Sequence, residues 1–70
     1  MVPIGRKGKI LHGRLTGNYV LIQDDLENTG GYLILIASDE DFQHGHDDWV
    51  EKDELDAYLE EADWEIEWMD

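Results

Sequence analysis

Residues 50–69 read VEKDELDAYLEEADWEIEWM, and within them the spacing of the apolar side chains changes once. Val50, Leu55, Tyr58, Leu59 and Ala62 recur every three to four residues, the period of an amphipathic helix. From Trp64 onward the period is two: Trp64, Ile66 and Trp68 alternate with Glu65, Glu67 and Met69, as on a strand with one buried face. The pattern predicts a helix over 50–62, stopped at Asp63, and a final strand over 64–69. Acids near the start of that helix suit the positive end of its dipole.

Upstream, the signals are those of strands and turns. Residues 32–38, YLILIAS, form a nearly continuous apolar run that reads as a central strand covered on both faces. NYVLIQ, residues 18–23, is rich in β-branched and aromatic side chains and reads as its neighbour. Between them DDLENTGG, residues 24–31, is a hairpin loop in which Gly30 and Gly31 can supply positive φ. KILHGRL, residues 9–15, is a shorter strand, and DEDFQHGHDD, residues 39–48, is a polar loop that Phe42 can pin to the core. The expected fold is therefore α+β: a small, mostly antiparallel sheet in the order β-β-β-α-β, with one helix packed on one face. Residues 1–8, with Pro3, Gly5 and Gly8, are expected to be a flexible basic segment preceding a single domain over 9–70.

Seventy residues suffice for one domain with a thin core; such a chain buries roughly 60% of the surface it exposes when unfolded. With no cysteine there is no disulfide and no thiolate metal site. The N-terminal residues carry no apolar signal-peptide core, and no apolar run approaches the roughly 18 residues of a spanning helix. A cytoplasmic protein is expected. Net charge is −13 and unevenly spread. Arg6, Lys7, Lys9 and Arg14 precede every acid, while all 18 acids and the one remaining base, Lys52, follow them. Such a field attracts basic partners and repels nucleic acid and anionic membrane.

The candidates for chemistry are weak. Asp39, Asp41, Gln43, Gly45 and Glu51 suggest a calcium loop, but an EF-hand begun at Asp39 needs glycine and a bidentate acid where His44 and Val50 stand. His44 and His46 flank Gly45 beside Asp47 and Asp48, yet lack a fixed third and fourth ligand, so no metal is expected. The carboxylate pairs Asp24/Asp25, Asp47/Asp48 and Glu60/Glu61 lie on polar loops or a polar helix face, without the desolvation that separates an acid from a base. Ser38 is the only serine and stands in no nucleophile motif, and the Gly5–Gly8 stretch lacks P-loop spacing. No enzyme activity, no cofactor and no direct nucleic-acid binding is expected.

What remains is a protein interface, which places aromatic anchors among charges. Trp49, Tyr58, Trp64 and Trp68 stand among acids up to Asp70. Asp53, Asp56 and Glu60 share a helix row, and like charges at that spacing cost a few tenths of a kcal/mol per pair. Trp64 and Trp68 double as core candidates, and Glu65 and Glu67 then face away from that core. Acids two apart on a strand are separated by roughly 6.5–7 Å, close to the spacing of phosphates along one DNA strand. The expected partner-binding residues are Asp47, Asp48, Trp49, Glu51, Asp53, Asp56, Glu60, Glu65 and Glu67.

In composition and layout, YVLIQDDLENTGGYLILIASDEDF (19–42) with HDDWVEKDELDAYLEEADWEIEW (46–68) resembles small acidic bacterial immunity proteins, and also phage-encoded inhibitors that mimic DNA. The resemblance covers about two-thirds of the chain. It implies stoichiometric inhibition of a basic enzyme, often a nuclease toxin or other nucleic-acid-binding enzyme, by covering its cleft. A structural or oligomerising domain without inhibitory role is the remaining alternative.

Overall fold

β-Branched and aromatic residues concentrate in two segments, and these form the middle of the sheet. A computed structural model describes residues 3–69. In it Lys7–His12 (β1), Tyr19–Asp25 (β2), Gly31–Ala37 (β3), Gly45–Glu51 (β4) and Glu65–Trp68 (β5) form one five-stranded sheet in the order β4-β3-β2-β1-β5. Every neighbouring pair is antiparallel, so the two edge strands, β4 and β5, run parallel to each other. They are joined across one face by a 3-10 turn, Lys52–Glu54, and the helix Leu55–Ala62 (α2). A single helical turn, Leu26–Thr29 (α1), links β2 to β3.

The α+β class, the antiparallel sheet and the covering helix follow the sequence pattern, but the order of elements differs from the expected β-β-β-α-β. The residues read as a polar loop over 39–48 contain the start of β4. Val50, expected in the helix, lies instead in β4 opposite Tyr32. It still packs on the core, but from the sheet side. The α-helix accordingly starts at Leu55, and its last turn ends at Asp63 in the left-handed conformation (φ 55°), with the Asp63 N–H shared between the Leu59 and Glu60 carbonyls. β2, not β3, is the central strand.

The connections are set by short polar contacts. Asp24 Oδ1 accepts from the Leu26 N–H at 2.9 Å and opens α1, which Gly30 closes at φ 78°. Gly31 does something different: a Cβ there would collide with the Val50 carbonyl oxygen and come within 2.7 Å of Trp49 Cε2, so the glycine lets β4 and the indole lie close. The first strand also begins earlier and ends earlier than the expected 9–15. Of the basic segment 1–8, Met1 and Val2 lie outside the described residues, the Gly5 N–H donates to the Ile22 carbonyl at 2.7 Å, and Lys7 and Gly8 belong to β1. The strand stops before Gly13 (φ 101°), whose missing side chain leaves room for the Asp63 carbonyl. The following turn is docked on the end of α2: the Arg14 N–H donates to the Ala62 carbonyl at 3.2 Å, and the Trp64 indole N–H donates to the Arg14 carbonyl at 2.6 Å.

The core lies between sheet and helix. Ile10, Val20, Ile22, Ile34 and Ile36 from the sheet meet Leu55 from α2, and Tyr58, Leu59, Trp64, Ile66 and Trp68 close its margin. Among the described residues no helix is long and apolar enough to cross a membrane. Ile34 is fully buried in β3. Ile34→Ala removes that contact and leaves a cavity, so it should cost about 2–5 kcal/mol of stability in urea unfolding; a midpoint unchanged from the parent chain would contradict this core.

Candidate functional site

Because strand partners share a face, the register assigns each side chain of β4. His46, Asp48 and Val50 pair with Ile36, Ile34 and Tyr32 and point toward the helix side. Asp47, Trp49 and Glu51 pair with Leu35, Leu33 and Gly31 and point to the open face of the sheet. Asp48 accepts a hydrogen bond from the Tyr58 hydroxyl at 3.1 Å, which ties the edge strand to α2. Trp49 is 44% exposed yet held in place. Its indole N–H donates to Thr29 Oγ1 at 2.7 Å, the Thr29 hydroxyl lies 2.9 Å from Asp25 Oδ2, and the ring sits against Gly31.

From β4 the acids continue onto the helix layer. Asp53 lies in the 3-10 turn, and Asp56 and Glu60 lie one turn apart on the solvent side of α2. Leu55 and Ala62 face the core, and Tyr58 meets Trp64 edge-on with ring centroids 6.0 Å apart. Trp64 and Trp68 are half-buried and pack on the core, whereas Trp49 does not.

Glu65 and Glu67 stand apart from this group. They belong to β5, four strand spacings from β4, or about 19 Å at the usual interstrand distance. Bases accompany them: Glu67 is paired in register with Lys9, and Glu65 Oε2 lies 3.7 Å from His12 Nε2. Lys7 and Lys9 rise over the open face, each with its Nζ 5.9 Å from an aromatic centroid, Phe42 and Tyr19 respectively. The nine expected binding residues therefore divide in two. Asp47, Asp48, Trp49, Glu51, Asp53, Asp56 and Glu60 lie on β4, the 3-10 turn and α2, with Asp47, Trp49 and Glu51 on the open face and Asp48, Asp56 and Glu60 on the helix side, while Glu65 and Glu67 sit at the opposite edge beside His12 and Lys9.

Among the described residues the His12–Glu65 contact is the one approach of a basic side chain to a carboxylate within 4.0 Å, and no charged side chain is buried. No group of three or more His, Cys, Asp and Glu side chains among them is gathered to hold a metal ion. A hollow of about 430 Å³ is lined by the consecutive residues Asp24, Asp25, Leu26, Glu27 and Asn28, so it is the outside of a bend and not a cleft between elements. Asp39 is held below its ordinary value of 3.8 by hydrogen bonds from the Gln43 and His44 backbone N–H groups, which brace the loop before β4. Asp70, the last of the acids, lies outside the described residues.

The features that sequence inspection missed are the β4 pairing and the support of Trp49 by Thr29, Asp25 and Gly31. The only local signal for β4 was the Trp49–Val50 pair, two good strand formers among residues that are not. No family model matches the chain, and no curated protein or solved structure matches it.

Tyr58 gives this surface a measurable signature. Burial, and then the Asp48 carboxylate that accepts its hydrogen bond, push the phenol up from 10.0 to about 12. The fold thus favours the protonated phenol, so this contribution to stability is complete below pH 10.0 and is lost as pH rises toward about 12. Tyr58→Phe should cost about 1 kcal/mol near neutral pH and remove this part of the decline between those two values. Urea midpoints measured across that range would show it, and an identical alkaline decline in both proteins would rule the contact out.

Proposed function

We propose that this chain is an acidic binding protein that inhibits a partner by occupying its basic cleft, in the manner of an immunity protein. The target class that fits is a nuclease or another enzyme that holds nucleic acid. The observation that carries the proposal is the pairing of unneutralised acids with a fixed aromatic anchor. Asp47, Glu51, Asp53, Asp56 and Glu60 have no cation within 4.0 Å among the described residues, and Trp49 stands exposed between Asp47 and Glu51 on the open face. No reaction of its own is part of this proposal.

The physical sequence of events is short. The net charge of −13 draws a basic surface in and orients it before contact. Trp49, already held by Thr29, then loses little side-chain freedom when it is covered. Carboxylates along β4 and α2 take up the Arg and Lys groups that would otherwise hold phosphates. Glu65 and Glu67 contribute less, because Lys9 and His12 stand beside them. For the same reason the phosphate-like spacing of those two acids gives little support to the alternative of a DNA mimic.

The test is an inhibition assay against a panel of purified basic nuclease domains. One of them should be inhibited in a one-to-one complex that persists at physiological salt. Asp47→Asn with Glu51→Gln should slow its association about tenfold or more at low salt, and Trp49→Ala should mainly speed dissociation. Inhibition of the whole panel that vanishes as salt rises would point instead to plain polyanion behaviour. A chain with Asp47, Glu51, Asp53, Asp56 and Glu60 all changed to amides that still inhibits equally well would defeat the proposal.

A further inference from the structure

β4 has a second edge. The Lys52 N–H donates to the Gly30 carbonyl at 3.3 Å and the Ser38 N–H to the His44 carbonyl at 3.5 Å, and between these bonds the register runs one to one from Gly31–Glu51 to Ala37–Gly45. Hydrogen-bonded and non-bonded pairs alternate along an antiparallel ladder. His46, Asp48 and Val50 therefore turn their backbone groups toward β3, and Gly45, Asp47, Trp49 and Glu51 turn theirs outward. Among the described residues no turn, loop or side-chain bond reaches the outward groups of Gly45, Asp47 and Trp49, whereas Glu51, as N-cap of the 3-10 turn, gives its carbonyl to that turn and leaves only its N–H on the edge.

The two edges of the sheet are not alike. β5 is four residues long, and its pairing with β1 slips between Ile10 and His12. Shortness and a bulge are common ways of blunting an edge. β4 is seven residues long, has no slip in its register, and contains neither proline nor lysine. Its side chains are also sorted. On the open face, Asp47 and Glu51 bracket Trp49; Asp47 and Trp49 turn both backbone groups outward, and Glu51 its N–H.

We infer that β4 is the docking edge for an extended segment of the partner that carries Lys or Arg at alternate positions and adds to the sheet as a further strand. This rests on the preceding proposal and names the mode of contact. The commitment to a basic strand comes from charge. A second copy would bring its own β4, and antiparallel pairing of two such edges about Trp49 would set Asp47 of each against Glu51 of the other, on chains of net charge −13. An incoming basic strand meets the opposite situation. Cations at alternate positions lie across from Asp47 and Glu51, and the side chain between them, Arg or aliphatic, rests on the exposed Trp49 ring. Main-chain hydrogen bonds supply affinity, and Asp47, Trp49 and Glu51 select the sequence.

The experiment uses the full chain and two synthetic eight-residue peptides of alternating Arg and Val. The peptides are identical except that one carries N-methyl groups on its four central residues, so that neither of its edges offers a continuous row of N–H groups. Calorimetric affinities at about 50 mM and about 150 mM salt are combined with amide exchange read by NMR. The unmodified peptide should bind at least about tenfold more tightly, and it should slow exchange at Asp47, Trp49 and Glu51 while leaving His46, Asp48 and Val50 unchanged. Equal binding of both peptides with the same salt dependence would overturn edge docking while leaving the acidic-cleft proposal standing. Binding of neither at the lower salt would remove both. A free chain that sediments as a dimer, with the Asp47, Trp49 and Glu51 amides already protected, would assign the edge to a second copy and overturn the proposal.

Discussion

The antiparallel pairing of β3 with β4 is the contact on which the rest of the surface depends. β3 buries Ile34 and Ile36 against the helix and half-buries Leu33 and Leu35 on the other face. Left at the rim of the sheet, such a strand would offer an open backbone row flanked by apolar side chains on both sides, the usual template for aggregation. β4 removes that hazard by taking the rim position itself. The segment that does so is polar along most of its length, so a carboxylate row replaces an apolar strand at the edge. Gly31 is the local condition for this arrangement, since any side chain there would push against the Val50 carbonyl and the indole of Trp49.

Charge is organised by the same arrangement. None of the acids among the described residues is buried, and α2 has no base in its last turn to complement its dipole. The helix is thus held mainly by what it packs against: Leu55 and Leu59 on the isoleucine layer, Tyr58 on Trp64 and Asp48, and the turn after Gly13 on its C-terminal end. Mutual repulsion among the acids works against compaction, and salt relieves it. The aliphatic layer between sheet and helix has to outweigh that repulsion in every condition where the chain folds.

Much of the architecture was legible in the chain because periodicity and burial agree there. The alternation of Trp64, Ile66 and Trp68 marked β5, and the three-to-four spacing of Leu55, Tyr58, Leu59 and Ala62 marked α2. β2 announced itself by its β-branched and aromatic content and β3 by its nearly continuous apolar run, and Asp63 ended the helix as its position suggested. β4 was hidden for a physical reason. As an edge strand it is polar on both faces at its first turns, so GHDD carries no alternation to detect, and Val50 fits a helical stripe as well as a strand face. The sheet order was equally invisible, because β5 must reach past three strands to pair with β1. That pairing separates Glu65 and Glu67 from the other acids, a division that distance along the sequence conceals.

The closure of the sheet by β1 and β5 also fixes where the ends of the fold lie. The Met69 N–H donates to the Lys7 carbonyl at 2.8 Å, so the first and last strands leave the sheet side by side. The β4 edge lies at the far side, beyond β1, β2 and β3. A short linker could therefore join the region of Lys7 to that of Met69, and new termini could be opened in the exposed turn between β1 and β2 without touching β4. The same geometry gives an anchoring point: a chain immobilised through either end region presents its acidic rim away from the support.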